Sequence, residues 1–139
     1  MKRISIQAGF TIVELLTVIA IIGILAATVL TSLNDARQEG INAKIMVEMD
    51  SVAKRAEIEN NQSFTYDMVC GTNGYATSSV IADLFVSIGT LASSSVTCNS
   101  SPGAFAVSVP LSSNHWCVSN GGISQEIPAA LTAGDTDCD

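Results

Sequence analysis

After Arg55 the sequence contains no lysine or arginine, although Asp67, Asp83, Glu126, Asp135, Asp137 and Asp139 all follow it. A segment with no cation cannot grip a phosphate backbone, so binding of nucleic acid is not expected of this half of the chain. Charge is also missing between Leu15 and Leu33, where no ionisable side chain interrupts the run. Only 14% of the residues are charged against 47% hydrophobic, too apolar a balance for a disordered chain. The four cysteines include no CxxC pair, which argues against a zinc site or a thioredoxin-like redox motif. The single histidine, His115, has no second ligand or nucleophile in sequence range and is expected at the start of a strand. No phosphate-binding glycine loop, metal-ligand cluster or nucleophile elbow is present, so the chain does not read as an enzyme, and no cofactor is expected.

The charge-free run is long enough to matter. About 20 apolar residues at 1.5 Å each cross roughly 30 Å of hydrocarbon as a helix. Residues 10–33 are therefore expected to form a transmembrane half-helix, interrupted near its start by one carboxylate, Glu14. Lys2 and Arg3 are the only charges ahead of it, and basic flanks stay on the cytoplasmic side, which places the remaining hundred or so residues outside. The cysteines fit an oxidising compartment. Cys70, Cys98, Cys117 and Cys138 allow three pairings; the sequential one, Cys70 with Cys98 and Cys117 with Cys138, is favoured because each closes a loop of roughly 20–30 residues.

Residues 34–61 continue as an amphipathic helix. Ile41, Ile45, Met49, Val52 and Ala56 share one face at a 3.6-residue period. The i,i+4 pairs Asp50 with Lys54 and Arg55 with Glu59 are expected to mark the solvated side. "ENNQS" (59–63) ends the helix, and "MVCGTNGYATSS" (68–79) reads as a loop. Val80, Ile81, Leu84, Phe85, Ile88 and Leu91 predict a short helix over 79–91. The period then changes: "AFAVSVPL" (104–111) alternates, and "HWCVS", "NGG" (120–122) and "ISQEI" form a hairpin signal with an Asn-Gly turn. The chain is expected to be α+β: its head, residues 62–139, is a small antiparallel sheet of about three strands resting on the long helix, with Trp116 packed against the disulfide of neighbouring Cys117.

The N-terminus adds a specific pattern: a short basic leader, then "G-F-T-x-x-E" leading into the apolar run. Over residues 1–33 this closely resembles the prepilin signature of type IV pilins and pseudopilins; the rest is similar in architecture only. The resemblance implies a long N-terminal helix packed against a small antiparallel β-sheet head. It implies a leader, residues 1–9, removed by a membrane aspartyl peptidase that cuts after Gly9 and N-methylates Phe10. Removing nine of the 139 residues leaves 130, and loss of Lys2 and Arg3 takes the net charge from −7 to −9. Glu14 is then the acid that pairs with the freed amine of Phe10, in the family that of a neighbouring subunit, during assembly into a helical homopolymer by inner-membrane machinery. The precursor would sit in the cytoplasmic membrane, the product in an extracellular pilus or a secretion pseudopilus.

Competing readings are a snorkelling carboxylate at Glu14, a secretory signal with a weak site at "LAAT" (25–28), and a plain membrane-anchored or secreted binding domain that does not polymerise. Many family members carry a proline where this chain has Thr31, so Gly23 is the remaining weak point of the apolar helix. Asp135, Asp137 and Asp139 have a spacing able to converge on calcium, as in some pseudopilins, although a solvated terminus is the more ordinary role. "NQS" (61–63) and "NSS" (99–101) match the glycosylation pattern, which short matches do often by chance.

Overall fold

The computed structural model describes residues 9–139. It is α+β: helix α1 (Ile12–Ser63), a one-turn helix α2 (Asp67–Cys70), helix α3 (Ser79–Ala92), and strands β1 (Thr97–Ser101), β2 (Ala104–Pro110), β3 (His115–Ser119) and β4 (Ile123–Ile127). The strands form one antiparallel sheet in the order β1-β2-β3-β4. The chain divides into two units, one ending at Arg37 and one running from Gln38 to Asp139.

In the first unit α1 is helical throughout and its side chains are exposed. Among the described residues, α1 is the one helix long and apolar enough to cross a membrane. Gly23 and Thr31 do not break it. Thr28 and Thr31 direct their hydroxyls back onto the carbonyls of Leu25 and Thr28 at 2.9 Å, which satisfies these polar groups without help from water.

In the second unit the apolar face of α1 meets one face of the sheet. Ile45, Met49, Val52, Ala53 and Ala56 bury themselves against Phe105, Val107, Val109 and Val118, with Ile81 and Ile88 of α3 closing the cluster. Phe105 is fully buried, and its ring lies 5.1 Å from that of Tyr66. The other sheet face carries a smaller cluster: Ala106, Cys117 and Ile127, covered by Leu131 and Cys138 of the irregular segment 128–139.

Three features depart from the expectations. The sheet has four strands rather than about three; β1, "TCNSS", was missed because it has no apolar alternation, every residue being half-buried at a sheet edge. The supposed loop 68–79 begins inside α2, whose turn ends on Gly71 at φ +74; a Cβ there would stand 2.8 Å from Thr77 Oγ1, so glycine is required. The β3–β4 hairpin turn, by contrast, falls at Asn120–Gly122 as expected, with Ser119 paired directly to Ile123 and Gly121 and Gly122 both at φ +79. Trp116 packs on the α1 side, whereas Cys117 lies in the opposite cluster, because neighbours along a strand point to opposite faces.

Candidate processing and assembly site

Gly9 and Phe10 precede the helix and are exposed, Phe10 at 76%. The leader residues ahead of Gly9, Lys2 and Arg3 among them, lie outside the described residues. The first turn of α1 is closed by a reciprocal cap. Thr11 Oγ1 accepts the Glu14 N–H at 3.2 Å, and Glu14 Oε2 accepts the Thr11 N–H at 2.9 Å and the Thr11 hydroxyl at 2.8 Å. This is the S/T-x-x-E capping box, in which two otherwise orphaned helix donors are satisfied at once. It also brings a carboxylate to the positive end of the helix dipole. Thr11 is the residue that sequence reasoning overlooked, although T-x-x-E stood within the quoted motif. All the cap's carboxylate contacts fall on Oε2; among the described residues Oε1 has no hydrogen-bond partner. Behind the cap, Thr17 donates to Glu14 O at 2.9 Å, and no other ionisable group follows until Asp35.

Elsewhere, polar groups build the head rather than a second site. The Asp50–Lys54 pair is solvated, with side chains 53% and 74% exposed. Arg55–Glu59 corrects the expectation of a solvated pair: Glu59 is buried, and its Oε1 accepts from Arg55 Nη2 at 2.6 Å and from Ser78 Oγ at 2.6 Å. The Ser78 hydroxyl above all, and the Arg55 guanidinium with it, hold the Glu59 carboxyl below its ordinary 4.5 against the opposing effect of burial. Asp67 is buried with no cation beside it. Burial raises its pKa, but hydrogen bonds from the hydroxyls of Thr65 and Thr72, each at 2.8 Å, and from Asn73 Nδ2 at 2.9 Å outweigh that and bring it below 3.8. These bonds fold the chain after α2 around one carboxylate. Burial and the adjacent Glu57 carboxylate raise the Tyr66 phenol, whose O–H donates to Glu57 Oε2 at 2.9 Å.

Cys70 is bonded to Cys98 and Cys117 to Cys138. His115 opens β3 with Nδ1 buried and unpartnered. Asp135, Asp137 and Asp139 are not drawn together: among the described residues no group of three or more His, Cys, Asp or Glu side chains is placed to hold a metal, and Asp135 Oδ1 accepts the Asp137 N–H at 3.3 Å. Asn61 is exposed in the last turn of α1, whereas the Asn99 amide is engaged, donating to Thr132 O at 2.8 Å and Asp135 O at 2.9 Å.

Among known protein families, residues 4–30 match the prokaryotic N-terminal methylation motif. No curated protein and no solved structure matches the chain. The motif covers Gly9, Phe10, Thr11 and Glu14, and it opens the long apolar helix of an α+β chain with a four-stranded antiparallel head. The chain therefore carries the N-terminal signal of a prepilin of the type IV pilin and pseudopilin kind.

Proposed function

We propose that the protein is a structural subunit of a type IV pilus. It is held in the cytoplasmic membrane by residues 10–33 with the head outside, cleaved after Gly9 by the prepilin peptidase, methylated on Phe10, and polymerised through α1 by the inner-membrane assembly machinery. The observation that carries this reading is the Thr11–Glu14 cap at the head of α1, directly before its charge-free run from Leu15 to Leu33. An acid in hydrocarbon is costly unless something satisfies it. In the precursor the cap and the helix dipole do so in part. Cleavage creates an α-ammonium at Phe10, and Oε1 of Glu14, unpartnered among the described residues, is the acceptor left over for it, on the same chain or on a neighbour.

At about 4 Å such a pair gains roughly 1 kcal/mol in water and roughly 4 kcal/mol at an effective dielectric of 20, before desolvation is subtracted. It therefore sets the register of the incoming helix. Most of the affinity comes from packing the exposed Ile, Leu and Val surfaces of this segment side by side.

Electron microscopy of sheared surface material tests the proposal. Wild type is expected to give filaments; Glu14→Ala is expected to be cleaved normally yet give few or none. Normal filaments from Glu14→Ala would contradict the pairing role, and no surface filaments from wild type would contradict the pilus reading.

A further inference from the structure

The two edges of the sheet are treated differently. At the β1 edge Cys98 is bonded to Cys70 of α2, the Ser100 hydroxyl donates to Thr72 Oγ1 at 2.9 Å, the Thr72 proton being held by Asp67, and the Tyr66 N–H donates to Pro102 O at 3.4 Å. That edge is covered by α2 and the turn that follows it. At the β4 edge residues 123–126 are all exposed, and among the described residues no group outside β3 hydrogen-bonds to the main chain of Ile123–Ile127. An antiparallel edge strand bonds inward at alternate positions only, so the outward N–H and C=O groups of β4 face solvent. Of the usual protections, proline, lysine and a bulge are absent: "ISQEI" has neither residue, and its five-pair register with β3 is unbroken; Glu126 is the one charge on the strand.

The surroundings of that edge are acidic. Asp50 and Glu57 line a groove with Gly122 and Ser124, and Asp135 and Asp139 line another with Ile127. Glu126 stands on the strand itself, and the cation in these two grooves is Lys54, already engaged by Asp50 at 2.6 Å. We infer that the open edge of β4 is a docking site for an extended, cationic segment of another protein, which adds as a fifth strand with lysine or arginine side chains over these carboxylates. Main-chain bonds supply the attachment and alternate side chains the selectivity. A second copy of this chain, cleaved as proposed, does not fit: residues 62–139 have no lysine or arginine, its basic residues from Arg37 to Arg55 are committed to α1, and Lys2 and Arg3 leave with the leader. The inference stands whether or not the chain polymerises.

The test uses the full-length chain in non-ionic detergent and a ten-residue peptide of alternating Lys and Val. Comparators are the Glu/Val peptide and the Lys/Val peptide N-methylated at every second amide, in both phases. Binding is read by fluorescence anisotropy of labelled peptide, and its location by hydrogen exchange at Ile123–Ile127. The Lys/Val peptide is expected to bind and slow exchange of outward β4 amides. One N-methylated phase and the double variant Ser124→Lys/Glu126→Lys are each expected to bind at least tenfold more weakly, the variant's fold being checked by exchange in β2 and β3. Binding indifferent to N-methylation would be charge attraction alone and would overturn the inference. So would equal binding of the Glu/Val peptide, protection confined to other segments, no binding at millimolar peptide, or β4 protection arising from self-association without peptide.

Discussion

The unit ending at Arg37 and the unit beginning at Gln38 put the same helix to opposite uses. Before Arg37 α1 exposes Ile, Leu and Val on every side; after it, α1 turns one stripe inward and hides Ile45, Met49, Val52 and Ala56 against the sheet. A helix apolar all round must find lipid or other helices, whereas a striped helix finds its partner within its own chain. The first unit therefore needs lipid or other helices around it, the second is stabilised within its own chain, and substitutions should separate accordingly.

The largest effect expected is on association. Glu14→Ala should remove most or all filaments while leaving the denaturation midpoint of the head unchanged; a head destabilised by that substitution would break the comparison. The reverse holds for the disulfide that ties the C-terminal segment over the sheet. Cys117→Ser/Cys138→Ser opens a loop with a sequence separation of 21, and should cost about 3–4 kcal/mol in denaturant unfolding without moving the cleavage site.

Third in size is the buried acid of α1. Glu59→Ala leaves Arg55 and Ser78 without their shared acceptor and should cost roughly 2–4 kcal/mol by the same measurement. The sign of the pH effect follows from the lowered pKa values of Glu59 and Asp67. Their contributions are fully present above the unfolded values, near 4.5 and 3.8, and are lost as pH falls through the still lower folded values. The head should thus lose stability progressively below about pH 4.5, and less steeply in Glu59→Gln. The smallest effect should have the opposite sign. Phe64 follows the last turn of α1 at φ +59 and is 88% exposed, so Phe64→Gly relieves left-handed strain and should raise stability by about 1 kcal/mol.

Much of this division could be read from residue order. The charge-free run, the striped segment after it, the apolar face of α3 and the alternation of β2 all announce themselves through local periodicity. What escaped was held by partners distant in the chain. β1 is polar and becomes a strand because β2 and the Cys70 bond hold it there. Glu59 looked solvated because its pairing with Arg55 is visible at i,i+4, while its burial depends on Ser78, 19 residues on. Asp67 is satisfied by Thr65, Thr72 and Asn73 only after α2 has turned the chain back on itself. Thr11 is legible as a helix cap, since T-x-x-E directly precedes an apolar helical run. Trp116 and Cys117 were placed together against the rule of strand alternation, which by itself separates them.

Everything proposed for Glu14 requires that the chain be cut between Gly9 and Phe10, which creates the cation. Tandem mass spectrometry of the mature protein's N-terminal peptide tests it most directly: the account predicts N-methylphenylalanine at residue 10. An unprocessed Met1, or a first residue near Thr28, would contradict it.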